Sequence, residues 1–246
     1  MASTQRKTTS GRARRRGPVY FLLGGIVIVA VLGVGFAAQS GTAGPETATA
    51  PNGAATRADA PLPDMARRIA GDPTAMGEVT APVVLVEYAD FRCPFCGVYA
   101  RETLPPLVAE YVKSGKLRVE WRDFPVFGQE STDAAVAARA AGEQGKFWEF
   151  NAATYAHAPE RAHLEVTKET LLQFARDSGV PDMTRFESDL TNPVLLDRVN
   201  SDMNEAYSIG ATGTPLFLVN GTPISGAQPL DVFRQIMDSE LAKAAK

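Results

Sequence analysis

The chain has 246 residues, 45% of them hydrophobic and 22% charged, enough for one sizeable globular domain with additions. Its formal net charge of −3 hides an asymmetry: six Arg and Lys and no acid fall in residues 1–17, leaving 19 of the 25 basic residues against 28 acidic ones. A body with that balance is not built to bind nucleic acid, and no nucleic-acid partner is expected.

Residues 19–38 carry no charge. Twenty helical residues span about 30 Å, the thickness of the hydrocarbon core of a bilayer. A buried core helix and a cleaved signal peptide are the competing readings. Arginines flanking so uniform an apolar run speak against the first. The run also exceeds the roughly 7–15 apolar residues of a signal peptide, although Ala37 and Ala38 are small. Arg14-Arg15 is followed by Arg16-Gly17-Pro18 and fits a twin-arginine signal poorly. The expectation is one transmembrane anchor at 19–38, with residues 1–18 a basic cytoplasmic head and everything after Gln39 outside the cell membrane. Residues 39–63, rich in Ala, Gly, Thr and Pro, read as a flexible linker. A folded domain is expected over 64–246.

Within that domain residues 65–69 suit a short helix, followed by turns at 72–73 and 76–77. Residues 83–88 form an apolar run of strand length, suited to a central strand buried on both faces. Ala89 and Asp90 end it. The stretch after Cys93 reads helical as far as Gly115, with an interruption at Pro105-Pro106. Residues 117–124 alternate as a second strand, so strand, helix and strand make a parallel βαβ unit. The period then turns helical: 131–144, capped by Ser131 or Thr132, then 146–156, 167–178, 183–190 and 193–207. In the last of these Val194, Leu195, Val199, Met203 and Ala206 are spaced for burial. This is a helical insertion over about 130–208. Residues 215–220 return to strand, Asn220-Gly221 signals a hairpin, 223–227 form its partner, and 230–246 form a closing amphipathic helix. The sum is an α/β domain with a central mixed sheet of about four strands.

The only two cysteines, Cys93 and Cys96, stand where the first strand hands over to a helix. A two-residue gap closes too small a loop to stabilise the fold, so the pair is reactive, part of a metal site, or coincidental core. A tetrahedral metal site needs four ligands; no second cysteine pair exists and the only histidines, His157 and His163, lie far along the insertion. Neither metal nor cofactor is expected. The strand–turn–helix setting favours redox chemistry over coincidence. Free N–H groups and the positive end of the helix dipole stabilise a thiolate at Cys93, below the ordinary value of about 8.5. Cys96, one turn on, can attack a mixed disulfide formed at Cys93. Pro94 is tolerated in the first turn, and Phe95 adds an apolar collar.

The segments GDPTAMGEVTAPVVLVEYADFRCPFC and TGTPLFLVNG, separated by the helical insertion, together resemble the thioredoxin-fold thiol–disulfide oxidoreductases, specifically the membrane-anchored bacterial DsbA-like group. The resemblance implies a thioredoxin-like fold, an exposed nucleophile at Cys93 and a buried thiol at Cys96. It implies a buried acid at Glu87 that transfers protons to Cys96, with a raised pKa; the plain alternative is a surface acid at a strand end. It makes Thr214-Pro215 a cis bond facing the cysteines, with the Thr214 backbone pairing with substrate and Phe95 beside it. Pro94-Phe95 departs from the Pro-His of strongly oxidising members, which removes one stabiliser of the thiolate. The implied partners are cysteine-containing secreted or envelope proteins and a quinone-linked membrane protein that re-oxidises the pair, or an electron donor if the chemistry runs reductively. The absence of a separate dimerisation domain favours oxidation over isomerisation. The rivals are a reductant for a narrow clientele, such as haem-protein maturation, and a non-enzymatic chaperone or adaptor.

Overall fold

The computed structural model describes residues 62–245; the expected basic head, membrane anchor and nearly all of the linker lie outside the described residues. Among the described residues no helix is long and apolar enough to cross a membrane. Five strands form one sheet in the order β1-β3-β2-β4-β5: β1 (Ala75–Met76), β2 (Val83–Ala89), β3 (Leu117–Asp123), β4 (Leu216–Val219) and β5 (Thr222–Ser225). β2 and β3 run parallel, from Val83 opposite Leu117 to Ala89 opposite Asp123. β4 lies antiparallel on the other side of β2, with Glu87 opposite Phe217, and β5 returns antiparallel on β4. The mixed sheet is the thioredoxin-like arrangement, with one strand more than expected. The Asp72 carboxylate accepts from the Thr74 N–H and hydroxyl, and the Trp121 N–H donates to the Thr74 carbonyl at 2.9 Å. That turn delivers Ala75 and Met76 antiparallel to β3.

The period of two along β2 divides the core. Val83 and Leu85 pack with Phe217, Tyr99, Phe233 and Met237 on one face. Val84, Val86 and Tyr88 pack with Leu218, Phe124 and Ala206 on the other. Each fully buried Val or Leu contributes about 2 kcal/mol, which makes β2 the anchor of both layers.

The helix after the cysteines, α1 (residues 94–112), begins with an α-helical turn at Pro94–Val98. It widens to π geometry at Tyr99–Thr103 and again at Val108–Val112, on either side of Leu104–Leu107. Pro105 and Pro106 have no N–H to donate, so the ladder around them shifts register; the Leu104 N–H reaches back to the Tyr99 carbonyl. Between β3 and β4 stand five helices: α2 (Gln129–Gly142), α3 (Phe147–His157), α4 (Lys168–Asp177), α5 (Met183–Asp189) and α6 (Pro193–Ser208). Thr167, Asp182 and Asn192 cap the last three through their side chains. α7 (Leu230–Ala244) closes the chain with Phe233 and Met237 buried.

Three local expectations are corrected. Residues 65–69 are not helical, because the Arg67 and Arg68 N–H groups donate to the Glu120 carboxylate at 2.9 and 2.8 Å instead of entering a helix. α2 starts two residues early after Gly128 at φ +88°, with no side-chain cap from Ser131 or Thr132. Val194 is 55% exposed and belongs to the surface of α6.

The polar positions of β3 are buried as well. Glu120 binds Arg118 and Arg122 at 2.8 Å each, and Arg122 and Tyr88 both reach Glu205 on α6. Arg67 joins Asp202 and Glu205 at 2.7 Å, while Arg139 of α2 pairs with Asp123 and Asp202. The strand residues that pair with one another here are closed over from far along the chain, by Arg67, 53 residues before Glu120, and Glu205, 83 residues after Arg122.

Candidate active site

β2 ends at Ala89, and the next seven residues build the centre of the molecule's chemistry. Asp90 is buried, and its carboxylate accepts from the N–H groups of Arg92 at 2.8 Å, Val126 at 2.7 Å and Phe127 at 3.3 Å. Its carbonyl accepts from the Cys93 N–H at 3.0 Å and the Tyr155 hydroxyl at 3.1 Å. Phe91 lies between Trp121 and Tyr155, at ring distances of 4.9 and 5.5 Å. The turn that presents the cysteines is therefore held by strand, loop and insertion at once.

Cys93 is the N-cap of α1, and its carbonyl accepts from the Gly97 N–H. Its Sγ lies 3.4 Å from the Thr214 carbonyl across the Thr214-Pro215 bond, which is cis. The cysteine expected to be exposed is only 2% exposed, because that carbonyl and the neighbouring walls cover the sulfur. It still lines an open groove of about 550 Å3 formed with Pro94, Phe95, Val126, Phe127, His163 and Thr212–Thr214. Phe95 is 64% exposed on the rim. Thr214 and Pro215 also line a second depression of about 450 Å3, shared with Ile209, Pro223 and Ser225. Both cysteines are free thiols.

The two thiols differ sharply in acidity. Donation from the Cys96 thiol, aided by the N–H groups of Cys96 and Phe95, lowers the Cys93 pKa to about 6 against the opposing effect of burial. Cys96 has no exposed surface, and burial, reinforced by the neighbouring Cys93, pushes its thiol well above the ordinary value. Both sulfurs are buried, but Cys93 at the helix N-terminus receives the donors while Cys96, one turn on, mainly loses solvent, and the pair is split accordingly.

Glu87 projects from β2 into this core and is 1% exposed, so it is no surface acid. Neither carboxylate oxygen has a hydrogen-bond partner, and burial raises its pKa to about 8. Its charge would add to the cost of ionising Cys96, Tyr99 and Tyr155, which places it behind the cysteines. The structure thus brings Cys93, Phe95 and Thr214 to one groove, sets Pro215 at its edge, and puts Cys96 and Glu87 beneath it. Among the described residues no three His, Cys, Asp or Glu side chains gather as a metal site.

The sequence analysis gave Asp90 and Arg92 no part in the site and considered His163 only as a metal ligand. Arg92 Nε donates to the Leu164 carbonyl at 2.8 Å, Nη1 to the Phe127 carbonyl at 2.7 Å, and Nη2 pairs with Glu130 at 2.7 Å. The signal available was position: both Asp90 and Arg92 lie within three residues of Cys93.

The family model described as thioredoxin matches residues 70–239. A probable disulfide bond formation protein D of Bacillus cereus is 31% identical over 174 residues, covering 69% of this chain and 79% of that one. BdbD from Bacillus subtilis, in its oxidised form, shares the fold with a TM-score of 0.65 and 22% identity, over 70% of this chain and 94% of that one. A thioredoxin-like oxidoreductase from Silicibacter pomeroyi is 27% identical with a TM-score of 0.58, over 67% and 90% of the two chains. With a reactive dithiol at the end of β2 and these relatives, the chain belongs to the thioredoxin family as a DsbA-like thiol–disulfide oxidoreductase.

Proposed function

We propose that this protein oxidises thiols of secreted and envelope proteins outside the cytoplasm, with Cys93 the sulfur attacked by substrate and Cys96 the leaving thiol. The observation that carries the direction is the low Cys93 pKa of about 6 beside a Cys96 pushed far up. A stabilised thiolate favours the reduced dithiol and so makes the disulfide a stronger oxidant. Glu87, holding a proton up to about pH 8, protonates the departing Cys96 thiolate. Phe95 offers an apolar contact, and the Thr214-Pro215 segment offers backbone groups to an extended substrate.

Membrane attachment through residues 19–38 is part of the proposal, supported by their uncharged length. A membrane redox partner that withdraws the electrons, a quinone-linked re-oxidase, follows from the same placement. Reducing partners for haem-protein maturation and a purely peptide-holding role remain the rivals. The test is to follow oxidation of a reduced two-cysteine protein by the oxidised chain and to trap intermediates with Cys96→Ala. Stoichiometric substrate disulfide with mixed disulfides at Cys93 is expected. A Cys93→Ser variant with undiminished activity would sink the reading.

A further inference from the structure

His163 lies in the loop between α3 and α4, where an exposed histidine would ordinarily move freely, yet here it is mounted from several sides. Its Nδ1 is 3.1 Å from the Arg92 carbonyl, and its ring packs on Phe127 with centroids 4.2 Å apart. Arg92 in turn grips the next residue along, through the Leu164 carbonyl, and also holds the Phe127 carbonyl. The imidazole is therefore clamped to the residue immediately before Cys93, and it shares the groove with Cys93 and Phe95. A carbonyl can only accept, so Nδ1 carries the hydrogen and donates, which leaves Nε2 with a free lone pair. The bond to Arg92 survives when Nε2 takes a proton, so the ring keeps its orientation in both states.

We propose that His163 is a general base that takes the proton from the incoming substrate thiol. This rests on the reading of the protein as a thiol oxidant, because only in that direction must a substrate thiol ionise in the groove. The S–H proton passes to Nε2, and the freed sulfur electron pair attacks Cys93 Sγ. A substrate–Cys93 disulfide forms, the Cys93–Cys96 bond breaks, and its electron pair leaves on Cys96, which is protonated by the Glu87 carboxyl. The imidazolium returns its proton to solvent. Attack by the substrate's second thiolate on the substrate sulfur then releases the oxidised substrate and the Cys93 thiolate. Two substrate thiols become a disulfide as the protein's disulfide becomes a dithiol. The other titratable or charged groups around the site are Glu87, Asp90, Arg92, Cys96, Glu130 and Tyr155. The first two are buried, and Arg92 is engaged by carbonyls and Glu130. Cys96 and Tyr155 are buried thiol and phenol with pKa values pushed up.

An ordinary cysteine is about 3% ionised at pH 7 and about 90% at pH 9.5, so a base that removes the need for prior ionisation gains at most about 30-fold at neutral pH and little above pH 9. The experiment compares the oxidised full-length chain with its His163→Gln variant, using a synthetic dithiol peptide at both pH values and an aromatic thiol that is already ionised at pH 7. The variant is expected to oxidise the peptide about tenfold more slowly at pH 7, within twofold of the parent at pH 9.5, and to react with the aromatic thiol at the parent rate. Equal loss at both pH values and with both thiols means that His163 only shapes the loop, and overturns the proposal. So does an unchanged peptide rate at pH 7. A shift in the Cys93 thiolate titration, read at 240 nm, overturns it in favour of an effect on Cys93 itself. If the parent protein fails to oxidise the peptide at all, the oxidant reading falls first and this proposal with it.

Discussion

Replacing Glu87 by glutamine tests whether the buried acid is held at the expense of stability. Its folded pKa of about 8 stands above the ordinary 4.5, so between those two values the folded state binds a proton that the unfolded chain has lost. Stability from this group is fully present below pH 4.5 and falls as pH rises, by about 1.4 kcal/mol per unit until the folded group ionises near pH 8. Over 3.5 units the ceiling is about 5 kcal/mol, and at pH 7 it is about 3 kcal/mol. Glutamine has nearly the same shape and no charge to lose. The variant should match the parent at pH 4.5 and exceed it at pH 8 by a few kcal/mol, below that ceiling. Urea unfolding of the reduced protein at the two pH values gives the difference from the midpoints, provided the slopes agree. Other titrating groups cancel between parent and variant. A gap that does not widen with pH, or a variant less stable at pH 8, would refute the reasoning. The same variant should oxidise substrate more slowly, since it has no proton to give Cys96.

Titration of the reduced protein at 240 nm should place the Cys93 thiolate transition near pH 6, and Cys96→Ala should move it upward by removing the largest stabilising donor. At pH 7 a thiol at about 6 rather than 9 favours the reduced form about tenfold, so the disulfide should be about 30 mV more oxidising than an unperturbed pair, measured against glutathione. Arg139→Leu leaves Asp123 and Asp202 facing each other without their shared cation, and should cost about 3–5 kcal/mol in urea unfolding. In Gly77→Ala the new Cβ would stand 2.5 Å from the Leu117 carbonyl oxygen at a φ of +89°, and thermal unfolding should show a loss of about 2 kcal/mol or more.

What could be read from the sequence was whatever is written in contiguous residues. β2 is a run of seven buried residues, the helices of the insertion follow their apolar period, and Cys93-Pro94-Phe95-Cys96 announces itself at a strand–helix junction. What escaped depends on partners distant in the chain. The alternation at 117–124 marks a strand but says nothing of the burial of Arg118, Glu120 and Arg122, which Arg67 and Glu205 arrive to cover. The same carboxylate, Glu120, takes the N–H groups of Arg67 and Arg68, which removes the helix that residues 65–69 would favour on propensity alone. β1 is two residues long, too short for any alternation to register. His163 was weighed only as a metal ligand, because nothing local links it to Cys93; the link is the Arg92 carbonyl, 71 residues back.

The asymmetry of the dithiol also bears on the direction of the proposed reaction. In the mixed disulfide the substrate is bonded to Cys93, whose thiolate, with a pKa of about 6, is a good leaving group. Cys96, the thiol that would resolve the intermediate backward, is almost entirely protonated at neutral pH, since burial opposes its ionisation. A protonated thiol does not attack, so the intermediate waits for the substrate's own second cysteine and breaks toward product. For a reductant the requirement is the reverse: Cys96 must ionise quickly to expel its reduced substrate. Burying Cys96 against a neutral Glu87 serves the oxidising direction, and placing Cys93 beside a helix N-terminus serves it again. Both follow from the single turn of helix between the two sulfurs.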